Sequence, residues 1–130
     1  MAKTQTTPIG ERLLSELARW PASWEGVRED AVLGRALVGV FLPFLEALVA
    51  SGAAPTTLRR HFANVWVLGG YIVRQVSREE RTRRTAARDL VLEEIDEDGG
   101  PWIADFMREE EQASFDSTCR KLSCFLRGRA

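Results

Sequence analysis

The chain is poor in the residues that hydrolytic and metal chemistry use, with one histidine, His61, and two cysteines, Cys119 and Cys124. A serine, cysteine or metal hydrolase needs a base beside its nucleophile, usually a histidine oriented by a third group. His61 stands between Arg60 and Phe62, one position off the apolar seam of its helix, and reads as a surface or boundary histidine. Its arginine neighbours disfavour the protonated form. The cysteines are five apart in a helical stretch, so their side chains point in different directions and match no zinc or redox spacing. Reduced thiols follow. Glycine-rich turns leading into lysine and serine or threonine are absent, which excludes a phosphate-binding loop of that kind. The acidic run Asp96-Glu97-Asp98 lacks the alternating ligands and distal glutamate of a calcium loop. No catalytic residue, metal or cofactor is expected, and the chain is read as a non-enzyme.

Long hydrophobic runs are also missing. The longest, Ala36 to Ala50, is interrupted by Gly39, Pro43 and Glu46 and falls short of the ~20 residues of a spanning helix. The first seven residues carry no secretory signal pattern. A cytoplasmic protein without membrane contact is the expectation. An apolar fraction of 45% and a charged fraction of 28% are those of an ordinary globular chain, and 130 residues suffice for one core, so residues 1–130 are read as a single domain.

What is present is helical periodicity. Thr7-Pro8 reads as a cap and first helical position, opening a helix to about Arg19 that Pro21 ends. Asp30 is placed as the cap of a second helix, with Val32, Leu33, Leu37, Val40, Phe41, Phe44, Leu45 and Leu48 on its apolar face. Pro43 is expected to bend or split it, and Gly52 to end it in the left-handed conformation. Pro55 opens the central helix, 55–76, in which Leu58, Phe62, Val65, Gly69, Ile72 and Val76 form one seam flanked by Trp66, Val67 and Val73. Two glycines inside it, Gly69 and Gly70, cost helix propensity and call for a close approach or a kink there, core packing ranking ahead of a ligand. Residues 77–88 read as a polar connection, 89–95 as helix and 96–101 as a turn. Trp102, Ile103 and Phe106 are expected to re-enter the core. The last helix runs from about Ser114 to Arg127, with Phe115, Cys119, Leu122, Phe125 and Leu126 inward. The fold class is all-α, a single compact bundle of about five helices around the helix 55–76.

The net charge of −1 hides a division along the chain. Six arginines fall between Arg74 and Arg88, and ten acids against one arginine, Arg108, between Asp89 and Glu111. Arg59, Arg60, His61, Arg74, Arg78 and Arg81 suit phosphate contacts, or pair with the acids that follow. The stretch "FLPFLEALVASGAAPTTLRRHFANVWVLGGYIV" resembles the N-terminal core-binding domain of tyrosine recombinases and phage integrases over about residues 41–76. Gly52, Pro55, Thr57, Leu58, Arg59 and His61 match that pattern, whereas Ala54 replaces its polar cap. The resemblance implies a small helical bundle that clamps DNA through Thr57, Arg59, Arg60 and His61. The catalytic half of those enzymes has no counterpart here, and Tyr71 lies inside a helix. The ending "FDSTCRKLSCFLRGR" is similar to that of small bacterial proteins.

Four tryptophans exceed what a small bundle needs, and tryptophan is enriched at interface hot spots. Trp24, Trp66 and Trp102 are the candidates for a protein interface. The reading is a non-catalytic accessory or regulatory module acting through a protein partner or self-association, with DNA binding as the alternative.

Overall fold

A computed structural model describes residues 7–78, 85–103 and 107–128. Its helices are α1 (Pro8–Glu16), a 3-10 turn (Leu17–Arg19), α2 (Trp20–Trp24), α3 (Asp30–Ala50), α4 (Pro55–Arg78), α5 (Ala87–Glu94) and α6 (Glu109–Leu126). This is an all-α bundle. Among the described residues its only β pairing is an isolated bridge between Asp96 and Gly99.

The local signals set several boundaries. Thr7 Oγ1 accepts the Gly10 N–H at 3.1 Å, which caps α1. Pro21 occupies the first turn of the short α2, where a missing N–H costs nothing, so the chain passes from α1 through the 3-10 turn into a new helix. Gly52 stops α3 at φ +78°. Pro43, in contrast, neither bends α3 enough to divide it nor ends it. The carbonyl that loses its donor belongs to Gly39, and both residues face outward, where water can serve it.

Helices α3 and α4 share the centre. α4 packs on α1, α2, α3 and α6, while α3 packs on α1, α2, α4, α5 and α6. The α4 seam is buried throughout, and Leu68 joins it. On α3, Leu37, Phe41, Phe44 and Leu45 are buried, but Val32 is 65% exposed, because α3 is covered only on one side. Extended back to Asp30, α3 is long and apolar enough by length and composition to cross a membrane, which the run beginning at Ala36 did not suggest. Its inner face belongs to the core.

Asp30 does not cap α3. It is the first residue of that helix, 1% exposed, and its carboxylate accepts the N–H groups of Gly26 (2.9 Å) and Val27 (3.0 Å) and the hydroxyl of Ser77 (3.1 Å). A buried carboxylate is stable only with such partners. It therefore folds the turn before α3 and ties that turn to the end of α4.

Candidate functional site

The groove between α2, α4 and the segment before α6 has a volume of about 430 Å³, lined by Trp24, Trp66, Val67, Gly70, Ile103 and Arg74 with Ser23, Glu25 and Gly26 at its edge. Its floor explains the two glycines. A Cβ on Gly69 would collide with Trp24 Cζ2 and lie 2.5 Å from Cη2, and one on Gly70 would lie 3.2 Å from Cδ1. The close approach is thus made by an indole ring lying on bare α4 backbone, without breaking the helix.

Two indole hydrogen bonds lock this arrangement. Trp24 Nε1–H donates to the Trp66 carbonyl at 3.0 Å, and Trp66 Nε1–H donates back to Ser23 Oγ at 2.8 Å. Each ring satisfies its single donor while its apolar body packs. The third wall is Ile103, held by Gln112 on α6, whose Oε1 accepts the Ile103 N–H and whose Nε2 donates to the Pro101 carbonyl and to Asp116 Oδ1, all at 3.0 Å. Ile103 is thereby turned inward and Trp102 left outside.

The three tryptophan candidates separate. Trp24 is 8% exposed and is a core residue, so it serves the groove as floor and not as an exposed anchor. Trp66 is 40% and Trp102 67% exposed, the latter correcting the expectation that it re-enters the core. Val27, exposed at 48%, follows Gly26. Among the described residues five large hydrophobic residues are exposed; of these Trp66 lines this groove, and Val27 and Trp102 are next in sequence to residues that do.

The basic candidates divide as well. Arg59, Arg60, Arg74 and Arg78 are exposed and Thr57 half-buried, on a helix that carries no acid between Pro55 and Arg78. Arg81 lies outside the described residues, as does Phe106. Arg60 shares a second groove with Glu110 and Glu111. Glu94, with Arg74 and Arg78, acts on the Tyr71 hydroxyl, whose pKa rises above its ordinary value through burial first and Glu94 second. Acids thus stand beside both ends of the arginine row.

His61 is not on the surface. It is 1% exposed between α4 and α6, with Nδ1 2.7 Å from Thr118 Oγ1. Asn64 Nδ2 donates to the same oxygen at 2.9 Å and to the Ser114 carbonyl and hydroxyl at 3.2 Å. Thr118 Oγ1–H also donates to the Ser114 carbonyl at 3.4 Å, and the direction of its contact with Nδ1 follows the imidazole tautomer. Burial, then the positive charges of Arg60 and Lys121, hold the His61 pKa below its ordinary value. Buried in this network, the ring is withdrawn from any DNA contact.

The cysteines are free thiols, Cys119 buried and Cys124 half-buried. Burial, reinforced by Asp116, pushes the Cys119 thiol far above its ordinary range, so it packs as a small apolar residue. Phe125, expected inward, is 41% exposed and stacks edge-on against Phe44 at 5.6 Å.

Sequence reasoning passed over Asp30, Asn64, Gln112 and Thr118 as positioning residues. The signal available for Asn64, Gln112 and Thr118 was a polar side chain at a helical position facing the apolar side. Compared with known protein-family models, curated proteins and solved structures, the chain matches none of them.

Proposed function

We propose that the protein is a non-catalytic accessory or regulatory binding module of the cytoplasm that recognises a protein partner. The observation that carries this reading is exposed Trp66 on the wall of one groove whose floor, Trp24, is buried and hydrogen-bonded, with exposed Val27 and Trp102 each next in sequence to a lining residue. Exposed aromatic residues beside a preformed apolar cleft are the composition of an interface hot spot, and a locked floor lowers the entropy lost on binding. The groove suits a partner that inserts one large apolar or aromatic side chain, with Glu25 and Arg74 at the rim for polar contacts.

The test is crosslinking and co-purification from cells with the wild-type chain beside Trp66→Ala and Trp102→Ala, both changes on exposed side chains. A partner retained by the wild type and lost from both variants supports the reading. A partner held equally by all three removes the groove from it.

DNA binding remains the second reading, favoured by the four exposed arginines of α4 and by the resemblance to recombinase core-binding domains over residues 41–76. Without His61, the contacts would fall to Thr57, Arg59, Arg60, Arg74 and Arg78. Binding to labelled duplex DNA that falls steeply with salt and weakens in Arg59→Ala/Arg60→Ala would establish it. Absence of binding at low salt would dismiss it.

A further inference from the structure

The apolar surface left over lies on α3, away from the groove-lining residues. On a helix, steps of three and four return to one face, and Val32, Ala36, Gly39, Pro43, Ala47 and Ala50 follow such steps. All six are exposed, and only 33% of the most apolar window of α3 is buried. A helix of this hydropathy with one apolar face exposed calls for a neighbour.

The charges beside this face indicate which neighbour. Arg35 and Glu46 each precede a residue of the face by one position, so both lie on the same flank. Both are exposed, and neither has an ion-pair partner among the described residues. They are eleven residues apart, about 16 Å or three turns. A two-fold axis at the midpoint, near residue 40, turns α3 onto an antiparallel copy and keeps each flank on its own side. Arg35 of each copy then meets Glu46 of the other. The same operation sets Val32 opposite Ala50 and Gly39 opposite Pro43, a larger side chain against a smaller one. A parallel pairing would instead carry this flank to the opposite side of the interface and leave Arg35 and Glu46 without a charged partner across it.

We infer that the outer face of α3 is a self-association surface, on which a second copy of this chain packs antiparallel with two Arg35–Glu46 pairs between copies. This takes up the self-association expected from the sequence, beyond the partner reading of the groove, and uses residues distinct from those of the groove.

Sedimentation equilibrium of the full chain tests it, with helix content followed by circular dichroism. Gly39→Arg is the disrupting variant, since a Cβ at Gly39 meets nothing within 4 Å and arginine is the better helix former. The wild type is expected to dimerise, and Gly39→Arg and Arg35→Glu each to weaken the dimer by about tenfold or more. Arg35→Glu combined with Glu46→Arg is expected to restore it to within about threefold, because the swap recreates both pairs. A monomer at every concentration overturns the pairing. So does a dimer indifferent to α3 variants but lost in Trp66→Ala, which would leave the groove reading intact. A charge swap that fails to restore association overturns the antiparallel arrangement. Co-sedimentation of a monomer with phosphatidylcholine–phosphatidylglycerol vesicles would assign the face to lipid instead.

Discussion

Helix α4 is held by two neighbours in two different ways. Towards its C-terminal half, α2 lays the Trp24 ring on the backbone of Gly69 and Gly70, a contact defined by shape. Towards its N-terminal half, α6 meets it through an imidazole, an amide and hydroxyls centred on Thr118 Oγ1, a contact defined by proton positions. The first contact is insensitive to pH and intolerant of added volume. The second admits no loss of a partner and responds to acid. A single helix thus combines a steric constraint with a titratable one, and each can be disturbed while the other stands.

Removing the ring has the largest expected effect. Trp24→Ala should cost about 3–5 kcal/mol in urea unfolding, since it deletes a buried aromatic and its hydrogen bond to the Trp66 carbonyl. Gly69→Ala should cost about 1–3 kcal/mol although alanine is the better helix former, because the new methyl meets Trp24. In a Trp24→Ala background that cost should fall by about 1 kcal/mol or more, and equal costs in the two backgrounds would show that the ring is not the obstacle.

On the α6 side, Thr118→Val keeps the shape and removes the shared oxygen, leaving His61 and Asn64 short of a partner. A loss of about 1–3 kcal/mol is expected in the same assay.

Mild acid, from pH 6.5 down to the folded pKa of His61, should act on this side. With the folded pKa of His61 below its ordinary 6.5, the unfolded chain binds more protons between those two values. The contribution of His61 is therefore complete above pH 6.5 and is lost as the pH falls towards the folded pKa. Urea midpoints for wild type and Gly69→Ala should decline in parallel across this window, and His61→Gln should flatten the decline. A slope unchanged in His61→Gln would place the titrating group elsewhere.

The smallest effect sharpens the contrast by its sign. Gly39→Ala, the same chemical change as Gly69→Ala, falls at an exposed α3 position where a Cβ meets nothing. In dilute protein it should stabilise by about 0.5–1 kcal/mol.

The legible part of the fold was the part written in periodicity and punctuation. Leu58, Phe62, Val65, Ile72 and Val76 announced one buried face of α4, and Thr7-Pro8 and Gly52 announced two helix ends. Gly69-Gly70 announced a close approach without saying of what, since nothing local distinguishes an indole from a crossing helix. Pro43 was misleading because its effect depends on whether the deprived carbonyl faces water or protein, which is a tertiary fact. Val32 and Phe125 carried the right hydropathy for the core and are exposed, because no element among the described residues covers them.

The candidate site was less legible still. Trp24 and Trp66 are 42 residues apart, and only folding makes each indole the other helix's hydrogen-bond donor. His61 looked superficial because it stands beside Arg60, one position off the apolar seam, and it is buried because α6, 57 residues later, brings Thr118 to it.

The sequence by itself determined an all-α chain, most of the helix bounds and the inner seam of α4, since capping, periodicity and backbone freedom act over a few residues. Tertiary structure alone decided which tryptophan is floor and which is surface, that His61 is a buried core group, and that α3 keeps one apolar face exposed. Those outcomes depend on which distant side chains arrive at a position, and burial and hydrogen bonding are properties of that arrival.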